Sequence, residues 1–306
     1  MEITTSSPST SEETGRRARP SAVWKRSVVA AVATVLCAFS LTAKKLVPQE
    51  FWQRMDDLAT GDGFVLVVAV EIAFIALPLV TTLLALLVLA RFEKVSLGHY
   101  LNGCGRPGWG WLVPAAAVTA GLTFAACLLA QSLPVESRTT PLRLPDIAWP
   151  ALVLVGLARG FLMQGLPEEF WFRGFAWRHA QRFPWLTLAV TTGVFTLLHL
   201  ASSGGQQNLG ERFLYLAMPF GMGFLAGCVR WCTGSAWGAA GVHGGMHAAF
   251  IPAAWMPMST GPATWLTVGI MLTCAAVALL AWQRPWSTSG DVPPAKALPR
   301  QPLEDE

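Results

Sequence analysis

The sequence predicts an all-α fold, a polytopic transmembrane helical bundle of about eight spans. Two observations carry this prediction. Hydrophobic residues make up 53% of the 306 residues and charged residues only 13%, a balance outside the range of ordinary water-soluble domains. Apolar runs of about 20 residues, the length that crosses about 30 Å of hydrocarbon, recur along almost the whole chain. The fold is therefore built in a membrane.

Composition divides the chain into five regions. Residues 1–22 are rich in Ser, Thr, Glu and Arg and are predicted to form a disordered cytoplasmic tail. N-terminal transmembrane spans fill residues 23–146, the spans at 147–254 hold the polar motifs described below, and a last span occupies 255–284. Residues 285–306 are rich in proline and charge and are predicted to form a second disordered tail.

The eight spans follow the apolar runs in order. The first, at 27–43, comes directly after five basic residues, so the positive-inside rule places the N-terminus in the cytoplasm, and no convincing cleavage site follows it. An even number of spans returns the C-terminus to the same side. The other seven spans are predicted at 64–90, 109–131, 147–182, 184–202, 212–230, 235–254 and 263–283. The Ala-, Arg- and Trp-rich composition looks bacterial, so the expected location is a bacterial plasma membrane.

Small residues and net charge add two further expectations. Glycines four residues apart, at Gly223 and Gly227 and again at Gly241 and Gly245, predict close approach of helix backbones in lipid. The net charge of +4 is spread over loops and tails without a basic stripe interleaved with aromatic residues, so no nucleic-acid partner is expected.

Two adjacent carboxylates, Glu168 and Glu169, lie inside the fourth span. Ionisable residues at membrane depth are expensive to bury, so they usually belong to a site or a pathway. Glu169 and Arg173 are four residues apart with the acid first, which is the spacing and order that pairs best on a helix. Glu168 lies about 100° further round the same turn. The spacing therefore predicts that Arg173 neutralises Glu169 and leaves Glu168 available for chemistry.

Three of the five histidines, His199, His243 and His247, lie in late apolar spans. If the fourth and fifth spans form a hairpin near Phe183, Glu168 and His199 lie 15 and 16 residues from the turn. Both are then roughly 22 to 24 Å along their helices, at the same depth. His243 and His247 are one helical turn apart and face the same way. The sequence thus predicts one constellation of carboxylates, an arginine and imidazoles inside the bundle.

These motifs resemble those of the CPBP family, which contains the type II CAAX prenyl endopeptidases and the bacterial Abi proteins. The matching residues are Glu168, Glu169 and Arg173 in Glu-Glu-x-x-x-Arg, Phe195 and His199 in Phe-x-x-x-His, and His243 in His-x-x-x-Asn. The chain departs from the family pattern at His247, where the family most often has Asn. The resemblance covers residues 147–254, and the order and spacing of three motifs make it specific.

The resemblance implies an intramembrane endopeptidase that hydrolyses a peptide bond of a membrane-associated protein or peptide near the cytoplasmic face. Glu168 would activate the attacking water, helped by His199, while His243 and the fourth position would hold the developing oxyanion. Imidazole can donate a hydrogen bond as Asn does, and it can also bind metal, so His247 leaves two chemistries open. One is a glutamate-type site without metal. The other is a zinc site with His199, His243 and His247 as ligands.

Two functions from other classes also fit these residues. The first is a non-proteolytic membrane scaffold or immunity protein that retains the fold. The second is a proton-coupled transporter that uses the acids and imidazoles as a relay, although the spans show no internal repeat of the kind transporters often have.

For the peptidase, the expected partners are the lipid bilayer and a peptide or protein substrate in or at the membrane, and prenylated substrates are not expected in bacteria.

Overall fold

The computed structural model describes residues 28, 31–32, 35, 46–59, 63–102, 108–133, 138–139, 149–180, 182–202 and 204–283. The predicted tails at 1–22 and 285–306, and most of the predicted first span, lie outside these residues. Within them the fold is an all-α helical bundle, as predicted. A single short antiparallel ladder in this part of the chain pairs β1, Arg138–Thr139, with β2, Ser259–Thr260.

Nine helices of the described residues build the bundle, and several continue through 3-10 or π turns. In chain order they are α1, Gln49–Ala59; α2, Phe64–Glu93; α3, Gly98–Leu101; α4, Gly108–Ser132; α5, Trp149–Ala180; α6, Pro184–Ala201; α7, Leu209–Thr233; α8, Ala236–Ala248; and α9, Pro262–Gln283.

Six of these helices, α2, α4, α5, α6, α7 and α9, are long and apolar enough to cross a membrane, counted over the described residues. They coincide with the predicted second to sixth spans and the eighth. The predicted seventh span differs, because α8 ends at Ala248 and a 3-10 turn, Ile251–Ala254, follows it. Pro252 has no N–H to donate to the carbonyl of Ala248, which removes the hydrogen bond that would continue the α-helix there.

Helix α8 lies at the centre of the bundle between two hydrophobic cores. It packs most extensively on α4 and also contacts α5 and α7. Ala239, Val242 and Met246 of α8 belong to one core, and Ala236 and Ala240 belong to the other. A side chain at Gly241 or Gly245 would collide with the α4 backbone, at Leu112 and Ala116 respectively. This pair of glycines therefore confirms the predicted close approach.

Helix α5 departs from the regular α-helix that the sequence predicts. Two π-helical segments, Arg159–Gly165 and Phe170–Ala176, enclose the short α-helical segment Leu166–Glu169. Pro167 cannot donate the i→i−4 hydrogen bond, which favours a wider turn before it. Gly165 also touches the α8 backbone, where an added Cβ would lie 3.0 Å from Gly244 N. The π turns thus flank the two glutamates.

A second group of polar residues, here called the helix-end cluster, joins the ends of α2, α3 and α5. Glu93 accepts hydrogen bonds from the hydroxyl of Tyr100 and from Nε2 of His179, both at 2.9 Å. The Nε of Arg178 donates to Nε2 of His99 at 2.7 Å. The side chains of Glu93 and His179 are 13% and 30% exposed, so water reaches this cluster.

Candidate active site

The ion pair that the i, i+4 spacing predicts is present on α5 and is completely buried. Nη1 of Arg173 lies 3.2 Å from each carboxylate oxygen of Glu169, and both side chains have 0% exposure. The guanidinium carbon of Arg173 also lies 5.0 Å from the centroid of the Phe195 ring, within the range of a cation–π contact. Since no water can replace either partner, each charge depends on the other.

Gly223 on α7 completes the surroundings of this arginine. Nη2 of Arg173 donates to the carbonyl oxygen of Gly223 at 2.6 Å, and the Thr192 hydroxyl donates to the same oxygen at 3.4 Å. A Cβ at Gly223 would lie 3.0 Å from Nη2 of Arg173. The sequence predicted only helix packing for Gly223. Its role as the acceptor for Arg173 was missed, because a backbone carbonyl leaves no signal in residue type.

His243 on α8 is bonded to the same carboxylate. Its Nδ1 lies 3.1 Å from Oε1 of Glu169, and the residue is 1% exposed. Because Glu169 is paired with Arg173, its carboxylate is the acceptor and Nδ1 of His243 carries the proton. Nε2 of the neutral ring therefore has a free lone pair. His243 can donate to an oxyanion only when both of its nitrogens are protonated, a condition that the sequence did not reveal.

His199 lies in the 3-10 turn that ends α6, next to the ring of Phe195. Its Nδ1 bonds to the carbonyl oxygen of Phe195 at 2.8 Å, so Nδ1 is the donor and Nε2 is free to accept. The Phe195 ring contacts both imidazoles, with its centroid 4.5 Å from that of His199 and 5.8 Å from that of His243. His199 and His243 thus each present Nε2 as an acceptor.

His247 stacks on His243, with ring centroids 5.2 Å apart and an angle of 26° between the planes. The side chain is half-buried and forms no hydrogen bond within the described residues. The arrangement does not fit the predicted zinc site: in the part of the chain that the structure describes, no three His, Cys, Asp or Glu side chains are placed to share one metal ion. Two of the three imidazoles lie face to face rather than converging.

Glu168 is half-buried and is one residue from the paired Glu169. Among the described residues its carboxylate has no hydrogen-bond or ion-pair partner. The structure therefore bonds Arg173 and His243 each to Glu169. It brings His199 and His247 to this network through ring contacts. Glu168 is left beside this network with both oxygens available.

The site places an unpaired carboxylate beside ordered imidazoles in a bundle of apolar helices, and comparison with known families finds a family of membrane peptidases that this part of the chain resembles. Residues 148–249, about a third of the chain, match the family model of the type II CAAX prenyl endopeptidases, Rce1-like. The match confirms the resemblance to the CPBP family that the three motifs indicated. No curated protein and no solved structure matches the chain.

Proposed function

We propose that this chain is an intramembrane endopeptidase of the glutamate type, which hydrolyses a peptide bond of a membrane-associated protein or peptide. One observation carries the proposal. Glu168 is the carboxylate without a partner in a site whose other acid is paired with an arginine and a histidine. A base must be free to take a proton, and Glu168 meets that requirement.

In the proposed reaction Glu168 takes a proton from a water molecule while the water oxygen bonds to the carbonyl carbon of the substrate. His199 accepts a hydrogen bond from the same water at Nε2 and orients it. The tetrahedral intermediate then collapses, the bond between carbon and nitrogen breaks, and the proton on Glu168 passes to the departing amine. The sum is the addition of one water molecule across the peptide bond, and Glu168 returns to its starting state.

The buried network supplies a fixed electrostatic environment for the developing negative charge. His243, when protonated at Nε2, donates to the oxyanion and is held in place by Glu169, whose charge stabilises the imidazolium. His247 occupies the position that is usually Asn in the family, and its unbonded ring can supply the second donor. Donors fixed in advance in a site that excludes water contribute more than the same donors in bulk water.

We further propose that substrate and water reach the site from the cytoplasmic side. Arg178 and Arg182 mark the end of the α5–α6 hairpin, and the positive-inside rule assigns such basic ends to the cytoplasm. Glu168 lies ten residues from Arg178, roughly 15 Å along the helix. By the same rule both termini would face the cytoplasm.

The test uses the full-length protein in liposomes with a library of membrane-anchored fluorogenic peptides. Glu168→Gln removes the proposed base, and Glu71→Gln is the matched control, because it removes a carboxylate from another membrane helix. We expect the wild type and Glu71→Gln to cleave the same peptide and Glu168→Gln to be inactive. A peptide that Glu168→Gln cleaves at the wild-type rate would overturn the proposed role of Glu168.

The metal question is settled on the same preparation, purified without chelator. We expect less than stoichiometric zinc by elemental analysis and cleavage that a strong chelator does not reduce. Stoichiometric zinc together with chelator-sensitive cleavage would assign the protein to the metallopeptidases instead. If the wild type cleaves no peptide and Glu168→Gln also preserves the cellular phenotype, the alternative of a scaffold or immunity protein gains support.

A further inference from the structure

His99 and Arg178 form the part of the helix-end cluster that joins α3 to α5. The Nε of Arg178 donates to Nε2 of His99 at 2.7 Å, and its Nη2 lies 3.4 Å from Nδ1 of the same ring. A guanidinium only donates hydrogen bonds and stays charged in proteins, so Nε2 of His99 must offer a lone pair. The contact therefore requires the neutral imidazole, with its proton on Nδ1.

His179, at the same end of α5, has the opposite requirement. Its Nε2 lies 2.9 Å from a carboxylate oxygen of Glu93, and its Nδ1 lies 2.8 Å from the carbonyl oxygen of Phe175. A carbonyl and an ionised carboxylate only accept, so each bond needs a proton on the ring nitrogen that makes it. A proton added to His179 supplies a donor, whereas a proton added to His99 removes an acceptor. Acidification therefore has opposite effects on the two contacts.

Three charged or titratable side chains act on His99 from the neighbouring helices. Burial lowers the pKa of His99 most, followed by the guanidinium of Arg178 on α5. Glu93 at the end of α2 raises this pKa, and His179 of α5 lowers it. Once His99 is protonated, two cations face each other at the 2.7 Å contact with no lone pair between them, so the hydrogen bond is lost.

Helix α3 lies directly against the part of α5 that carries the buried ion pair. A Cβ at Gly174, the residue after Arg173, would lie 3.5 Å from the carbonyl oxygen of Tyr100. Tyr100 is buried, and its hydroxyl donates to Glu93 at 2.9 Å. Because α3 keeps this second attachment, loss of the bond to Arg178 loosens α3 without detaching it.

We propose that the contact between His99 and Arg178 is a pH-sensitive fastening of α3 to α5, which opens when His99 takes up a second proton. The bond from His179 to Glu93 is maintained on acidification, so the opening is confined to α3. The fastening involves no substrate, and the inference does not depend on the proposed peptidase function. Its consequence is that α3 holds the end of the helix that carries the two glutamates more firmly at neutral pH than in acid.

Hydrogen exchange tests the fastening on the full-length protein in detergent. His99→Gln is the matched variant, because its amide oxygen can accept from Arg178 and does not titrate. The backbone amides of α3 are compared between wild type and variant at the same pH by mass spectrometry, which cancels the intrinsic pH dependence of exchange. We expect equal exchange at about pH 8 and at least about tenfold faster exchange in the wild type at about pH 5, since a hydrogen bond to a charged group is lost. A peptide from α9 is the internal control and should exchange equally in both proteins.

NMR of the nitrogen-labelled histidine side chains of the wild type gives a second measurement that does not need the variant to fold. The His99 signals are assigned by replacing the other histidines one at a time. Nε2 of His99 should carry no proton at about pH 8 and should gain one over the pH range in which exchange of α3 rises. A protonated Nε2 at about pH 8, or equal α3 exchange of the two proteins at about pH 5, would overturn the inference. Peptide cleavage is measured separately, so a failure of the peptidase proposal leaves this inference standing.

Discussion

Helix α5 carries two polar clusters that differ in their access to water. The network of Glu169, Arg173 and His243 is dry, with every side chain at most 2% exposed. The helix-end cluster begins five residues after Arg173 and contains an acid and imidazoles as well, but its Glu93 and His179 remain in contact with solvent. Water can replace a lost partner in the second cluster and cannot in the first. The same residue types are therefore expected to tolerate substitution very differently.

The largest effect is expected from Arg173→Met, which leaves the buried Glu169 without its arginine and bonded only to His243. Breaking such a pair costs about 3 to 5 kcal/mol of folding free energy. Thermal unfolding in detergent, followed by tryptophan fluorescence, should show a much lower midpoint or no folded protein. The double variant Arg173→Met with Glu169→Leu removes both charges and should recover a large part of the loss. If the single and the double variant were equally stable, the stability of Glu169 would not depend on Arg173, and the two would not act as a buried ion pair.

The next largest effect is expected at His247, where a substitution should change catalysis but not stability, because the side chain forms no hydrogen bond within the described residues. His247→Ala removes the proposed oxyanion donor and should lower kcat roughly 100-fold, as removal of one such donor does elsewhere. His247→Asn restores an amide donor at the usual family position and should stay within a few fold of the wild type. Both variants should unfold within about 1 kcal/mol of the wild type. An Asn variant as inactive as the Ala variant would refute the donor role.

Glu93→Gln should have a smaller effect, because the helix-end cluster is hydrated. The substitution weakens two hydrogen bonds that water can partly replace, which we expect to cost about 1 kcal/mol. Cleavage of the reporter peptide should persist, since Glu93 lies outside the site network. Unfolding midpoint and kcat measured on one preparation check both statements. A loss of stability as large as that of Arg173→Met would remove the distinction between the clusters.

The smallest effect concerns pH and His99, which lies on α3 outside the membrane-crossing helices. Burial, and then the guanidinium of Arg178, lower the pKa of His99 from its usual 6.5. The unfolded chain therefore binds a proton more readily, and the stability that neutral His99 provides falls as the pH drops below 6.5. Unfolding midpoints between pH 8 and roughly 5 should decline less in His99→Asn than in the wild type. Equal slopes would show that His99 titrates normally.

The sequence predicted those parts of the site that depend on spacing along one helix or on a simple hairpin. The pairing of Glu169 with Arg173 follows from four residues of separation. Counting residues to the turn predicts His199 near this pair, and the structure places both Arg173 and His199 against the Phe195 ring. Contacts between distant segments were not accessible in this way. The Gly223 carbonyl and the Glu169 bond of His243 require the helices to be packed first.

The π turns of α5 and the shortness of α8 were missed for a related reason. Pro167 and Pro252 were visible, but the apolar residues around them are compatible with an unbroken span. Whether a helix widens, ends or continues at such a point depends on the neighbour against which it packs. Here Gly165 lies against the α8 backbone, and that contact could not be known from one sequence.

The position of α8 has a consequence for biogenesis. Its 13 residues extend only about 20 Å, too short to cross the hydrocarbon core alone, and its faces are covered by α4, α5 and α7. It can therefore settle only after these earlier helices have left the ribosome and entered the membrane. Because α8 supplies His243 and His247, a nascent chain that ends before α8 carries the glutamates and His199 without these two imidazoles. The network of Glu169, Arg173 and His243 is thus complete only once synthesis has passed the last of the three motifs.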